Sequence, residues 1–213
     1  MFTAEHVRNS LARLRADSAP VFGSQAHKFL LNDPLSDSEV RAFEHRHGIH
    51  LPTDYRFFVS SIGNGGAGPF YGVFPLGMMD ENFGLQSWEK QDGIIGTLTS
   101  PFPHRTAWND LAGQPSEELL TLNEAEYDSK VDEFETRYWS PSLVDGAIPI
   151  CHTGCALRIW LVVAGEQFGH VWYDGRADYS GIVPLVLNDG SPLTFSTWYE
   201  DWLTRLCTNL KSL

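Results

Sequence analysis

Positive charge is scarce in this chain. Its 15 lysines and arginines face 27 aspartates and glutamates, for a formal net charge of −12. Nucleic acid phosphates require a basic footprint, so no direct binding of DNA or RNA is expected, and an anionic membrane surface is disfavoured for the same reason. Cysteine is sparse as well. The three cysteines form no even framework, with Cys151 and Cys155 four apart and Cys207 isolated, which fits a reducing cytoplasm. No stretch approaches the roughly 18 consecutive apolar residues of a membrane span. The opening residues Met1–Arg8 hold no basic segment followed by an apolar run, so no secretory signal is expected. The nucleophile-elbow, zinc-protease, Walker and dinucleotide-binding fingerprints are also missing.

What is present is globular. Hydrophobic residues make up 42% of 213 residues and charged ones 20%, a balance that suits one folded domain over 1–213 rather than a disordered chain. The negative charge is uneven. Between 117 and 135 stand Glu117, Glu118, Glu124, Glu126, Asp128, Asp132, Glu133 and Glu135 against the single base Lys130, a net −7 of the total −12. Such a segment reads either as a solvated helix face or as a docking patch for a basic protein.

Periodicity and capping signals outline the elements. Thr3 caps a first helix with Val7, Leu11 and Leu14 on one face. Residues 16–32 read as irregular, punctuated by Pro20 and Gly23. Ser36 and Glu39 form a capping-box signal, opening a helix that turns Val40 and Phe43 inward and stops at Gly48. Residues 67–77 read as the first strands and turns of a sheet, and 80–115 as loops around short elements. Tyr127, Val131, Phe134 and Tyr138, spaced 4, 3 and 4, predict a helix over 124–138 with the acids on its remaining faces. Ile148–Ile150 and the nearly all-apolar run 157–163 predict strands covered on both sides, or on one side plus an edge. A hairpin loop at 164–167 and a return strand to Tyr173 follow. Pro184 makes 182–187 an edge strand or a bulge. Ser196 or Thr197 caps a closing helix with Trp198, Tyr199, Trp202, Leu203 and Leu206 inward, and with Arg205 and Lys211 toward its negative end. The order helices, sheet, helix predicts an α+β fold, with helices packed on one face of a largely antiparallel β-sheet.

The most specific string is Leu51-Pro52-Thr53-Asp54-Tyr55-Arg56-Phe57-Phe58 running into Ile62-Gly63-Asn64-Gly65-Gly66. Leu51, Tyr55, Phe58 and Ile62 share one apolar helix face. Pro52 suits a first turn, and Gly63, Gly65 and Gly66 suit a tight exit where a Cβ would be strained. The string resembles the signature of the SMI1/KNR4 family (SUKH superfamily), an LP-x-x-[YF] helix followed by an N-G-G-type loop. Ile148-Pro149-Ile150, Gly154, Gly169–Asp174 and Gly181–Leu185 resemble the family's later strands, and Phe195–Leu203 its closing helix. The similarity covers about 36–203, with the best segments at 51–77 and 147–203. The acidic stretch lies inside 80–140, where no family pattern is placed. The resemblance implies a non-catalytic, cytoplasmic protein-binding role without a cofactor. In bacteria that role is an immunity protein that binds and neutralises a cognate toxin, for example a nuclease. The partner so implied is a basic toxin domain, for which the eight acids are the candidate contact residues. A regulatory or scaffold role is the alternative within the family.

Other residues invite chemistry. Cys151-His152-Thr153-Gly154-Cys155 offers soft ligands, but no second pair completes a zinc set. Neighbours on an extended chain point to opposite faces, so His152 is badly placed to activate Cys151. His45, His47 and His50 cluster near Gly48 without sharing a helix face. Gly63–Gly66 is no phosphate loop, because it ends a helix instead of starting one. Asp174 and Asp178 offer carboxylates, with Arg176 between them as a natural ion-pair partner. An enzyme using Cys151 or Asp174 is the remaining alternative, and a deep pocket joining those residues would favour it. All seven tryptophans lie at or after Trp88, and aromatics in 88–139 are candidates for exposed anchors.

Overall fold

The computed structural model describes residues 2–17, 21–81, 84–88 and 94–209. Pro20 and Lys211, named above for their local roles, lie outside the described residues. The first helix, α1 (Ala4–Asp17), has Thr3 Oγ1 accepting the His6 N–H at 3.2 Å and buries Val7, Leu11 and Leu14. The following segment is not wholly irregular, since it holds the single turn α2 (Ser24–His27). Helix α3 (Asp37–His47) opens on a complete capping box. Ser36 Oγ accepts the Glu39 N–H, and Glu39 Oε2 accepts the Ser36 N–H at 2.7 Å. It ends on Gly48 at φ 64°.

The 51–62 segment is not one uniform helix. Pro52 caps α4 (Thr53–Phe57), which passes into a π-helical stretch over Phe58–Ile62. The wider turn brings Phe58, Val59 and Ile62 inward together, at 0%, 0% and 1% exposure. Leu51 and Tyr55 are buried beside them. The Gly63 N–H donates to Phe58 O at 2.9 Å, and Arg8 Nη2 on α1 donates to the freed carbonyls of Ser61 and Ile62. The glycines then serve different needs. Gly65 and Gly66 sit at φ 79° and 97°, in the left-handed region. Gly63 is extended, and its need is space, since a Cβ there would lie 2.8 Å from Asn32 O.

Residues 67–77 form no strand. Successive glycines fold this stretch back, so that Val73 makes isolated bridges to Gly66 and to Cys151. The Phe74 N–H donates to Ile150 O at 2.8 Å. The small sheet lies later, as the hairpin β1 (Met78–Glu81) and β2 (Gly84–Ser87).

The main sheet is antiparallel, in the order β3 (Ala147–Gly154), β4 (Leu157–Val162), β5 (Val171–Asp174) and β6 (Ile182–Pro184). Pro184 ends the edge strand β6. Alternation along β4 separates two cores. Ile159, Leu161 and Val163 join Ile148, Ile150, Val171 and the apolar faces of α1, α3 and α4. Trp160 and Val162 point the other way, onto Trp172, Ile182, Phe102 and Val144. The helices named so far therefore cover one face, and the second face is closed by the loop around Phe102 and a 3-10 turn at Pro141–Val144.

The closing helix α7 (Phe195–Asn209) starts earlier than Ser196. Thr194 Oγ1 accepts the Thr197 N–H at 3.4 Å, and Thr197 Oγ1 accepts the Thr194 N–H at 2.8 Å. Asp54 Oδ2 accepts the Ser196 N–H at 2.8 Å, placing a carboxylate on the positive end of α7. Phe195, Trp198, Tyr199 and Leu203 are buried, and Phe195 and Tyr199 pack on Phe58 at ring distances of 4.9 and 5.2 Å. Among the described residues, no helix is long and apolar enough to cross a membrane.

Candidate partner-binding surface

The acidic segment forms two consecutive helices, α5 (Glu117–Leu122) and α6 (Glu124–Tyr138). Asn123 joins them, and its Oδ1 accepts the Glu126 N–H at 3.3 Å. Helix α5 buries none of its residues, and Leu122 is 77% exposed. Helix α6 turns Phe134 and Tyr138 inward, with Tyr127 and Val131 half-buried. Its attachment is polar as well as aromatic. Arg137 donates to Asp110 Oδ2 and Ala112 O, and the Tyr138 hydroxyl donates to Asn109 Oδ1 at 2.7 Å.

All eight acids, Glu117, Glu118, Glu124, Glu126, Asp128, Asp132, Glu133 and Glu135, are exposed. On α6 they do not form one continuous band. At 3.6 residues per turn, Glu124, Asp128, Asp132 and Glu135 fall on one stripe beside the buried face, and Glu126 and Glu133 fall on another. Glu124–Asp128 and Asp128–Asp132 are like-charge pairs at i,i+4, a spacing that destabilises an isolated helix.

The other chemical candidates are distributed through the framework. Cys151 is fully buried, and its thiol donates to Pro69 O at 3.3 Å. Cys155 is exposed in the two-residue turn joining β3 and β4, at φ 49°, with Ala156 at φ 63°. Among the described residues, no group of three or more His, Cys, Asp or Glu is placed to hold a metal. His47 packs instead on Phe43 and Trp88. Gly63–Gly66 ties three segments together, with Gly66 and Val73 exchanging hydrogen bonds of 2.8 and 2.9 Å.

Asp174 and Arg176 form a buried ion pair at 6% and 4% exposure. Arg176 Nε donates to Oδ1 at 2.9 Å, and Nη2 donates to Oδ2 at 2.7 Å. The Arg176 N–H and Trp160 Nε1 complete four donors on this carboxylate. Its neighbour His104 donates from Nε2 to Leu143 O at 2.8 Å, and burial pushes its pKa below the ordinary value. Asp174 is bonded to Trp160, on the second face of the sheet, whereas Cys151 packs into the core on the first. The sheet itself separates the two residues on which an enzyme reading rests.

One feature escaped the sequence reading. Phe22 is 64% exposed, and Phe70 and Tyr71 are each 38% exposed. They form an edge-to-face cluster, with Phe22 6.5 Å from Phe70 and 5.3 Å from Tyr71. Beside it, Val21, Phe22, Pro69 and Phe70 line a groove against Trp198, Asp201, Trp202 and Arg205 of α7. In the 88–139 region, by contrast, Trp88 is buried, and the exposed Trp139 lies under Arg176, whose guanidinium is 5.1 Å from its ring centre. Aromatic exposure follows from which loops meet, a property without local periodicity.

Comparison with known proteins places this chain in a family. No curated protein and no solved structure matches the chain significantly. The family model described as SMI1 / KNR4 family (SUKH-1) matches residues 34–189. That span takes in the LP helix, the glycine turn, the acidic helices and the main sheet, most of the chain. The chain therefore belongs to the SMI1/KNR4 family.

Proposed function

We propose that this chain works as one non-catalytic, cytoplasmic domain of the immunity type, which captures and blocks a basic toxin domain through α5 and α6. The carrying observation is the concentration of −7 of the net −12 charge in two helices, with every acid exposed and α5 free of buried residues. Membership of the SMI1/KNR4 family supports the same reading. An acidic inhibitor of this kind presents charge where a basic cleft expects a polyanion, which speeds encounter more than it adds affinity. Exposed charges act over about one Debye length, ~8 Å at physiological salt.

Affinity capture from the native cell with mass spectrometry identifies the partner, and surface-binding kinetics then test the mechanism. The combined variant Glu124→Gln, Asp128→Asn, Asp132→Asn, Glu135→Gln is expected to slow association with the captured partner, most at low salt, and to leave dissociation nearly unchanged. An association rate equal to that of the unaltered protein at low salt would reduce the segment to a solvated helix face.

A further inference from the structure

We infer that the groove between the 21–22 segment, the 69–70 segment and α7 seats an arginine side chain presented by a protein partner. This goes beyond the acidic helices, because none of their residues lines it. The groove has a volume of about 290 Å³, room for one long side chain, and its walls are Phe22, Phe70, Trp198 and Trp202. Its charged members are Asp201 and Arg205.

The walls are built on strained backbone. Phe70 holds φ 52°, a left-handed conformation that a bulky residue rarely adopts, and remains 38% exposed. Gly23 at φ 77° is what lets the two segments meet, since a Cβ there would lie 1.9 Å from Phe70 O. Exposed rings held by strained backbone are expected where a surface is shaped for a ligand.

The chemistry selects a cation. Ring faces carry a negative quadrupole that attracts guanidinium more than ammonium in stacked geometry. Asp201 adds a carboxylate that accepts a planar fork. The free protein already places a guanidinium here. Arg205 Nε lies 3.0 Å from Asp201 Oδ1 and 2.9 Å from Oδ2. That pair is exposed, at 74% and 42% of its side-chain surface, and spans one helical turn. An incoming arginine can therefore exchange with Arg205 at little loss. An anionic group would find Arg205 as its one cation in the lining, already engaged by Asp201, on a chain of net charge −12.

The test is an NMR titration that follows the indole N–H signals of Trp198 and Trp202, with N-acetyl-arginine amide as probe. N-acetyl-citrulline amide, its neutral isostere, and N-acetyl-leucine amide are the comparisons. Saturable shifts with the arginine compound alone are expected. Asp201→Asn should weaken binding about tenfold, and Phe22→Ala, at an exposed position, should weaken it severalfold. Arg205→Ala should tighten it about twofold, because it removes the competing guanidinium. Non-saturating shifts would overturn the proposal. So would equal shifts with citrulline or leucine, or an unchanged affinity in Asp201→Asn. The four-site variant of α6 should leave the titration unaltered, so failure of the toxin-capture reading and failure of this one are distinguishable.

Discussion

Removing Asp174 should be among the most damaging single changes in this protein. In Asp174→Ala, the Arg176 guanidinium keeps, among the described residues, Tyr138 O at 3.3 Å and the Trp139 ring face, while staying buried at 4% exposure. Breaking one half of a buried ion pair typically costs about 3–5 kcal/mol, because the other charge stays desolvated. For a chain of this size each kcal/mol lowers Tm by about 2–4 °C, so the melting temperature should fall by roughly 6–20 °C. Urea unfolding, followed by both tryptophan fluorescence and far-ultraviolet circular dichroism, measures the loss. The double variant Asp174→Ala, Arg176→Met should recover most of it, since no uncompensated charge remains. The expected coupling is at least about 2 kcal/mol. A single-variant loss below about 1 kcal/mol, or strictly additive losses, would mean that Arg176 reaches water in the native state. The Asp174–Arg176 cluster would then be open to solvent.

Phe58→Ala should cost about 3–5 kcal/mol, because Phe58 is fully buried against Phe195 and Tyr199; a denaturant midpoint near that of the unaltered protein would contradict this packing. Stability should fall on acidification. Burial holds His27 and His104 below the ordinary histidine pKa, so the unfolded chain takes up protons first as pH drops below about 6.5. Their contribution is complete above that pH and shrinks below it, and His104→Gln should flatten the slope of unfolding free energy between pH 7 and pH 5.5. Asp128→Asn removes two like-charge i,i+4 neighbours, Glu124 and Asp132. It should raise the thermal midpoint slightly, by an amount equivalent to roughly 0.4–1 kcal/mol, and added salt should reduce the gain; a lowered midpoint would contradict the stripe geometry.

Local signals were the legible ones. The bounds of α6 at 124 and 138, the Ser36–Glu39 capping box and the Gly48 stop each depend on residues within a turn or two of one another. The edge position of Pro184 was readable because its missing N–H suits no interior strand. What escaped is decided at a distance. Thr194, Ser196 and Thr197 are all capping types, and part of the choice lies with Asp54, 142 residues away. The π-helical stretch was hidden because Phe58, Val59 and Ile62 fit a 3.6-residue period as well as a wider one. In 67–77 the apolar residues suggested strands, but Gly66, Gly68 and Gly72 pack where any Cβ would strike backbone or Val73. Of the candidate site, the charge and the phase of α6 were readable, whereas the anchoring of Arg137 to Asp110 and Ala112 was not, because those partners lie 27 and 25 residues away.

The attachment of α6 bears on how its charge is to be understood. Phe134, Tyr138 and Arg137 hold the helix to the rest of the chain, and none of the eight acids takes part in those contacts. Glu124 lies in the first turn, where a carboxylate suits the positive end of the helix, but those contacts require none at Asp128, Asp132 or Glu135, and repulsion along the stripe opposes the helix. Solubility alone is served by charge of either arrangement, and it gives no reason to align like charges one turn apart. The proposed basic partner would give one, because the repulsion within the stripe is relieved when a cationic surface approaches. The same four carboxylates should then weaken the free helix and hasten capture. Measuring stability and association rate on one set of variants distinguishes this trade-off from a face that is merely solvated.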